Sequence, residues 1–227
     1  MRYDVNKLKQ LFNDVLIPKQ FTEDDADSFY YNLPDKTKIF FNHYMYGASK
    51  IVLIPTEADF VVKIPFNGSY YDGLNNENDN EDDLVFEEFL DAGAVSEWDY
   101  CAEEEYRYNI AKELNFHEFF AQTKFLFEIN DYPIYIQEKC EVFSQLDDNS
   151  VSHSIEENNK TSSLVSNINE WLDINWLTDC RIYYGDEKFQ SFCQYISNDT
   201  QWGDLRGDNI GYLNKRPVLI DYSNFND

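Results

Sequence analysis

Three short runs rich in β-branched and aromatic residues crowd the first third of the chain: Lys38–Phe41, Lys50–Ile54 and Asp59–Pro65. Each is too short for a stable helix and of the composition that packs on a pleated surface, so they predict three neighbouring strands. Gly47, Ala48 and Ser49 supply a turn between the first two. Ahead of them, Val5, Leu8, Leu11, Phe12, Val15 and Leu16 recur at helical spacing, predicting a helix over residues 4–16 closed by Pro18. After them come a helix over about Trp98–Leu114 and two more strands, Thr123–Ile129 and Pro133–Gln137. Helical sequence then runs over about Leu164–Ser197, broken near Tyr184 and Gly185, and a strand pair follows at Ile210–Leu213 and Val218–Ile220. Strands first and helices later make this an α+β chain.

Two polar stretches interrupt the pattern. Residues 67–83 are almost wholly Asn, Asp, Glu, Gly, Ser and Tyr, a composition that reads as a loop. Asp79–Asp83 carries carboxylates suited to Ca²⁺ but lacks the glycine that an EF-hand loop needs. Residues 144–163 read as a second polar linker. The four cysteines stand far apart with no CxxC spacing, which predicts a reduced, cytoplasmic chain. His43, His117 and His153 are isolated and read as ordinary surface or core histidines. No apolar run reaches the roughly 18 residues of a membrane span, and the N-terminal residues have no secretory-signal core. The formal net charge is −25, which repels nucleic acid and anionic membranes and favours solubility. It also suits a basic protein partner, or imitation of DNA.

The candidate chemistry lies near the end. Trp202-Gly-Asp204-Leu-Arg-Gly-Asp-Asn209 is followed by Val218-Leu-Ile-Asp221. A carboxylate that orients a hydroxyl, then a carboxamide and a second carboxylate for Mg²⁺, is what phosphoryl transfer requires. This spacing resembles the catalytic loop and metal-binding Asp of the protein kinase-like superfamily. Gly203-Asp204-Leu205 is also similar in style to small-molecule, aminoglycoside-type phosphotransferases. The resemblance spans residues 38–223 by motif and element order. It departs from the family at Trp202, where His is common, and at Gly203, where Arg is frequent. Tyr222-Ser223 stands in place of Phe-Gly.

The resemblance implies a five-stranded antiparallel small lobe with one main helix and a reduced, mostly helical large lobe. Residues 1–37 are then a helical extension, 38–140 the nucleotide-binding lobe and 141–227 a truncated large lobe. It implies ATP and Mg²⁺ as cofactors, with Asp204 as catalytic carboxylate and Asn209 and Asp221 as metal ligands. Lys63 is the lysine that neutralises phosphates, and a helix carboxylate holds it: Glu104 first, with Glu103 and Glu105 competing. Gly47 and Ser49 stand in the glycine-rich loop, and backbone groups around Gln137–Lys139 meet the adenine. The chain ends soon after Asp221, at Asp227, which on this resemblance leaves no activation segment or peptide-holding helices. The activity implied is a minimal kinase acting on a hydroxyl, foremost of protein Ser or Thr. Its alternatives are a small-molecule phosphotransferase and a non-catalytic acidic binding protein.

Overall fold

The structure is a computed structural model that describes residues 1–47, 49–67, 99–130, 132–146, 152–165, 173–198 and 207–222. Among them are seven α-helices and eight strands in two compact units. The architecture is α+β, with one five-stranded antiparallel sheet. No helix among the described residues is long and apolar enough to cross a membrane. The acidic residues 79–83 and most of the 67–83 loop lie outside the described residues.

The first unit joins Met1–Ala102 to Thr123–Gln137. Helix α1 (Val5–Phe12) starts where the Asp4 carboxylate accepts from the amides of Asn6 and Lys7 at 2.9 and 3.2 Å. It stops well short of Pro18. Asn13 and Asp14 favour local turns over helix, and the Val15 amide turns back to the Phe12 carbonyl at 3.0 Å. Val15 is still buried, so the apolar pattern is satisfied by a turn instead of further helix. Helix α2 spans Ala26–Tyr31.

The predicted first strand is a correction. Lys38–Phe41 falls mostly in helix α3 (Asp35–Phe40), and the first strand, β1, is His43–Tyr46. Pro34 takes an extended backbone, its carbonyl accepts from Thr37 and Lys38, and Asp35 sits in the first turn. That start signal outweighs the short β-branched run. Ile39 is 78% exposed, as no buried strand position would be.

Strands β2 (Lys50–Ile54), β3 (Phe60–Pro65), β4 (Thr123–Ile129) and β5 (Tyr132–Glu138) lie where their composition predicts. The sheet order is β1-β2-β3-β5-β4. His43 pairs with Ile54, Val52 with Lys63 and Thr123 with Gln137; β4 bulges between Phe125 and Phe127. Leu8, Phe12, Phe21 and Phe41 share one core with Ile51, Val62, Ile64 and Ile134, so residues 1–37 pack into the same unit as the sheet. Phe12 lies edge-on to Phe127, 6.0 Å between ring centres.

Helix α4 (Tyr100–Glu113) opens on Asp99, whose carboxylate accepts from the amides of Cys101 and Ala102. The second unit takes Glu103–Gln122 and Glu138–Asp227. It holds α5 (Ile155–Leu164), α6 (Ile174–Tyr184), α7 (Asp186–Asn198) and a three-stranded sheet ordered β6 (Glu141–Val142), β7 (Ile210–Leu213), β8 (Arg216–Leu219). Gly185, at φ +85°, separates α6 from α7 at the predicted break. Trp176, Phe119, Phe120, Phe189 and Phe192 form its core.

Helix α5 is a second correction, because residues 155–163 read as linker. Its face is polar and leaves no apolar period. Thr161 and Thr178 hydroxyls meet at 2.9 Å, Arg181 Nε donates to Thr161 at 3.0 Å, and Arg181 pairs with Glu157. The overlooked signal is Ser154-x-x-Glu157: the Ser154 hydroxyl accepts from the Glu157 amide at 3.2 Å.

Candidate active site

Strands β7 and β8 form a hairpin turning through Asn214 and Lys215, at φ +52° and +69°. Two adjacent left-handed residues match the right-handed twist of the strands they join. The register pairs Leu213 with Arg216 and Ile210 with Leu219. Asn209 and Ile220 therefore face each other at the open end. The Asn209 carbonyl accepts from the amide of Ile220 at 2.7 Å and from that of Asp221 at 3.4 Å. Both proposed metal ligands of this unit, Asn209 and Asp221, are thus brought together, half-buried, by one short ladder.

Residues on both sides hold Asp221 in place. The Leu219 carbonyl accepts from the Ala121 amide at 2.8 Å. Tyr222 is buried, its hydroxyl donates to the Ala121 carbonyl at 2.6 Å, and its ring lies 5.0 Å from that of Phe120. The aromatic after the Asp is therefore an anchor that limits the freedom of the carboxylate. On the Asn209 side, the Ser144 amide donates to the Gly207 carbonyl at 3.2 Å, and the Ser144 hydroxyl bonds the Asp208 carboxylate. No sequence motif marks Ser144 as a tether. Gly211 permits the third strand: a Cβ there would stand 2.2 Å from the Glu141 carbonyl oxygen. Asp204, with Trp202 and Gly203, lies outside the described residues.

Of the three candidate carboxylates on α4, Glu104 is fully buried, while Glu103 pairs with Arg107 at 2.8 Å. Neither Glu104 nor Glu105 is isolated. A fully buried carboxylate needs a polar or charged partner to exist there.

In the sheet unit, Lys63 occupies the middle of β3, whose six residues are all buried, and is itself 2% exposed. Like a buried carboxylate, a buried ammonium must be compensated, and Lys63 does have an interaction partner. Gln137 is buried, with its side-chain amide donating to the Thr123 hydroxyl at 2.7 Å. Lys139 is half-buried. The Gly47 amide donates to the Lys50 carbonyl at 3.2 Å, and nothing lies within 4 Å of a Cβ built there. Ser49 is buried, and its carbonyl accepts from Phe66 at 2.8 Å. Ala48 lies outside the described residues.

A further polar cluster in the second unit has no motif. His153 Nε2 lies 2.9 Å from the Asp179 carboxylate, which also accepts from the Tyr212 hydroxyl. Burial, with that carboxylate second, pushes the Tyr212 phenol well above its ordinary value. The cluster ties the start of α5 to α6 and β7. Isolated in sequence, His153 is in fact a joint between three elements.

No protein-family model matches the sequence, and no curated protein matches it. Among solved structures, choline kinase LicA from Streptococcus pneumoniae matches at 12% identity and a TM-score of 0.29, over 96% of this chain and 68% of that one. The likeness is slight.

Proposed function

We propose that this chain is an ATP- and Mg²⁺-dependent phosphotransferase that acts on a hydroxyl. The observation that supports the reading is the Asn209 backbone carbonyl bonded to the amides of Ile220 and Asp221, which brings the main chain of the two expected metal ligands together at the end of one hairpin. Their oxygens are hard donors of the kind Mg²⁺ takes. Among the described residues no group of three or more His, Cys, Asp or Glu could hold a metal. Mg²⁺ is commonly bound through one or two carboxylates together with substrate phosphates. When bound, Mg²⁺ neutralises charge on the phosphate oxygens.

On this reading Asp204 orients the acceptor hydroxyl and takes its proton as the new oxygen–phosphorus bond forms. The bond from the γ-phosphorus to the bridging oxygen breaks, and ADP leaves. Protein Ser or Thr is the acceptor class that the kinase resemblance implies first. Gly203-Asp204-Leu205, in the style of small-molecule phosphotransferases, favours a small alcohol as the second reading.

Thermal melts with ATP and Mg²⁺ test nucleotide binding. At about 100 times its dissociation constant the ligand stabilises by about 2.7 kcal/mol. The shift is expected in the wild type and is expected to disappear in Asp221→Ala. Transfer from γ-labelled ATP to a panel of peptides and small alcohols separates the two acceptors. No shift at millimolar nucleotide, or equal labelling by wild type and Asp221→Ala, would sink the proposal.

A further inference from the structure

Four tyrosines gather where α2 meets β1. Tyr44 and Tyr46 alternate onto one face of the strand, their rings nearly parallel at 15° and 6.3 Å apart. Tyr30 stacks on Tyr44 at 3.9 Å and 21°. Tyr31 stands across this row, at 80° to Tyr44 and 73° to Tyr30. The Asp27 carboxylate accepts from the Tyr44 hydroxyl at 2.6 Å. Tyr30 is buried, with its hydroxyl on the Phe41 carbonyl, whereas Tyr31 and Tyr46 remain 66% and 43% exposed. The result is a two-walled aromatic corner with an exposed carboxylate bonded to one of its hydroxyls.

The charge around the corner is one-sided. Glu23, Asp24, Asp25 and Asp27 precede the two α2 tyrosines, and no Lys or Arg occurs between Glu23 and Asp35. Of the nearest ammonium groups, Lys36 pairs with Asp14, while Lys38 donates to the Tyr31 carbonyl beside the corner and is neutralised there by Asp35. Cations do lie over other rings, Lys7 over Phe40 and Lys9 over Phe127, but none of the described residues places one over these tyrosines. Ring faces carry negative potential and attract cations. Base stacking by a nucleic acid would bring phosphates towards the acidic α2 segment, which disfavours it.

We propose that this corner binds an arginine side chain on an extended peptide segment of a partner protein. A guanidinium is planar and weakly hydrated, so it stacks on one ring while its N–H groups reach the Asp27 carboxylate; an ammonium cannot do both as well. The site uses none of the residues assigned to phosphoryl transfer, so the two proposals stand or fall separately.

Fluorescence anisotropy at physiological salt with labelled tetra-arginine, tetra-lysine and tetra-citrulline peptides tests it on the full chain. Tetra-arginine is expected to bind tightest. Replacing both exposed rings, Tyr31→Leu with Tyr46→Leu, is expected to weaken it about tenfold at unchanged charge. Tyr31→Phe with Tyr46→Phe keeps the rings and is expected to retain binding, which separates ring loss from any general disturbance. Equal binding of arginine and lysine peptides would overturn the proposal. So would unchanged tetra-arginine affinity in the leucine variant, which would mean that diffuse attraction to the acidic chain is at work.

Discussion

Gly211 shows how closely single atoms decide this hairpin. A methyl group there meets the Glu141 carbonyl oxygen at 2.2 Å and the Ile220 side chain at 2.6 Å. The Ile220 Cδ1 methyl is a side-chain end that can shift, but the Glu141 oxygen is backbone and cannot give freely. Gly211→Ala is expected to destabilise by about 2–3 kcal/mol through overpacking, measured by urea unfolding, and to displace β6. Wild-type stability would show that β6 yields at no cost. Helix-face position in the sequence ranks Glu104 ahead of Glu103 and Glu105. Packing separates them, burying Glu104 and setting Glu103 against Arg107.

Helix α5 and strand β1 mark the limit of reading elements from periodicity. Helix α5 has no apolar period, and at Lys38–Phe41 the helix start at Pro34 overrides a strand-like composition. The α5–α6 contact is instead carried by Thr161, Thr178, Asn158 and Arg181, with Asn158 accepting from the Thr178 hydroxyl at 2.9 Å. Arg181 is 3% exposed and joins Glu157 and, at 2.9 Å, Asp186. Arg181→Met leaves both carboxylates to water, so the protein is expected to lose stability, but less than when a fully buried pair is broken. Hydrogen exchange should speed up in α5 while α6, held by Trp176 and Leu177, stays protected. Equal acceleration in both helices would show that they open as one. Strands β2, β3 and β5 are legible because their β-branched and aromatic residues are mostly buried, whereas β4 buries only Thr123 and Phe127 and is legible by composition.

Net charge is a property of the chain as a whole, and at −25 it makes each well-placed cation matter. Lys188 bonds the Glu118 carboxylate at 2.5 Å and, as the largest cause, holds its pKa below the ordinary 4.5. A carboxyl with a depressed folded pKa adds stability above its unfolded value and loses it as pH falls through the folded one. Lys188→Met is therefore expected to lower Tm most near pH 7. The gap to wild type should narrow as pH drops below about 4.5, read by calorimetry across pH 3–7. A gap constant with pH would assign the effect to the contact of Lys188 with the Tyr184 ring, 5.9 Å away. By itself the sequence determined the α+β class, most strand positions, the break at Gly185 and the spacing of Asn209 to Asp221. Each of these is written in local composition, turn chemistry or chain distance. Tertiary structure alone decided that Thr161, Thr178 and Arg181 join α5 to α6, that Ser144 tethers the Asn209 side of the hairpin and that four tyrosines form a corner. Those outcomes depend on contacts between residues far apart in the chain, where the deciding energy is burial and pairing instead of local preference.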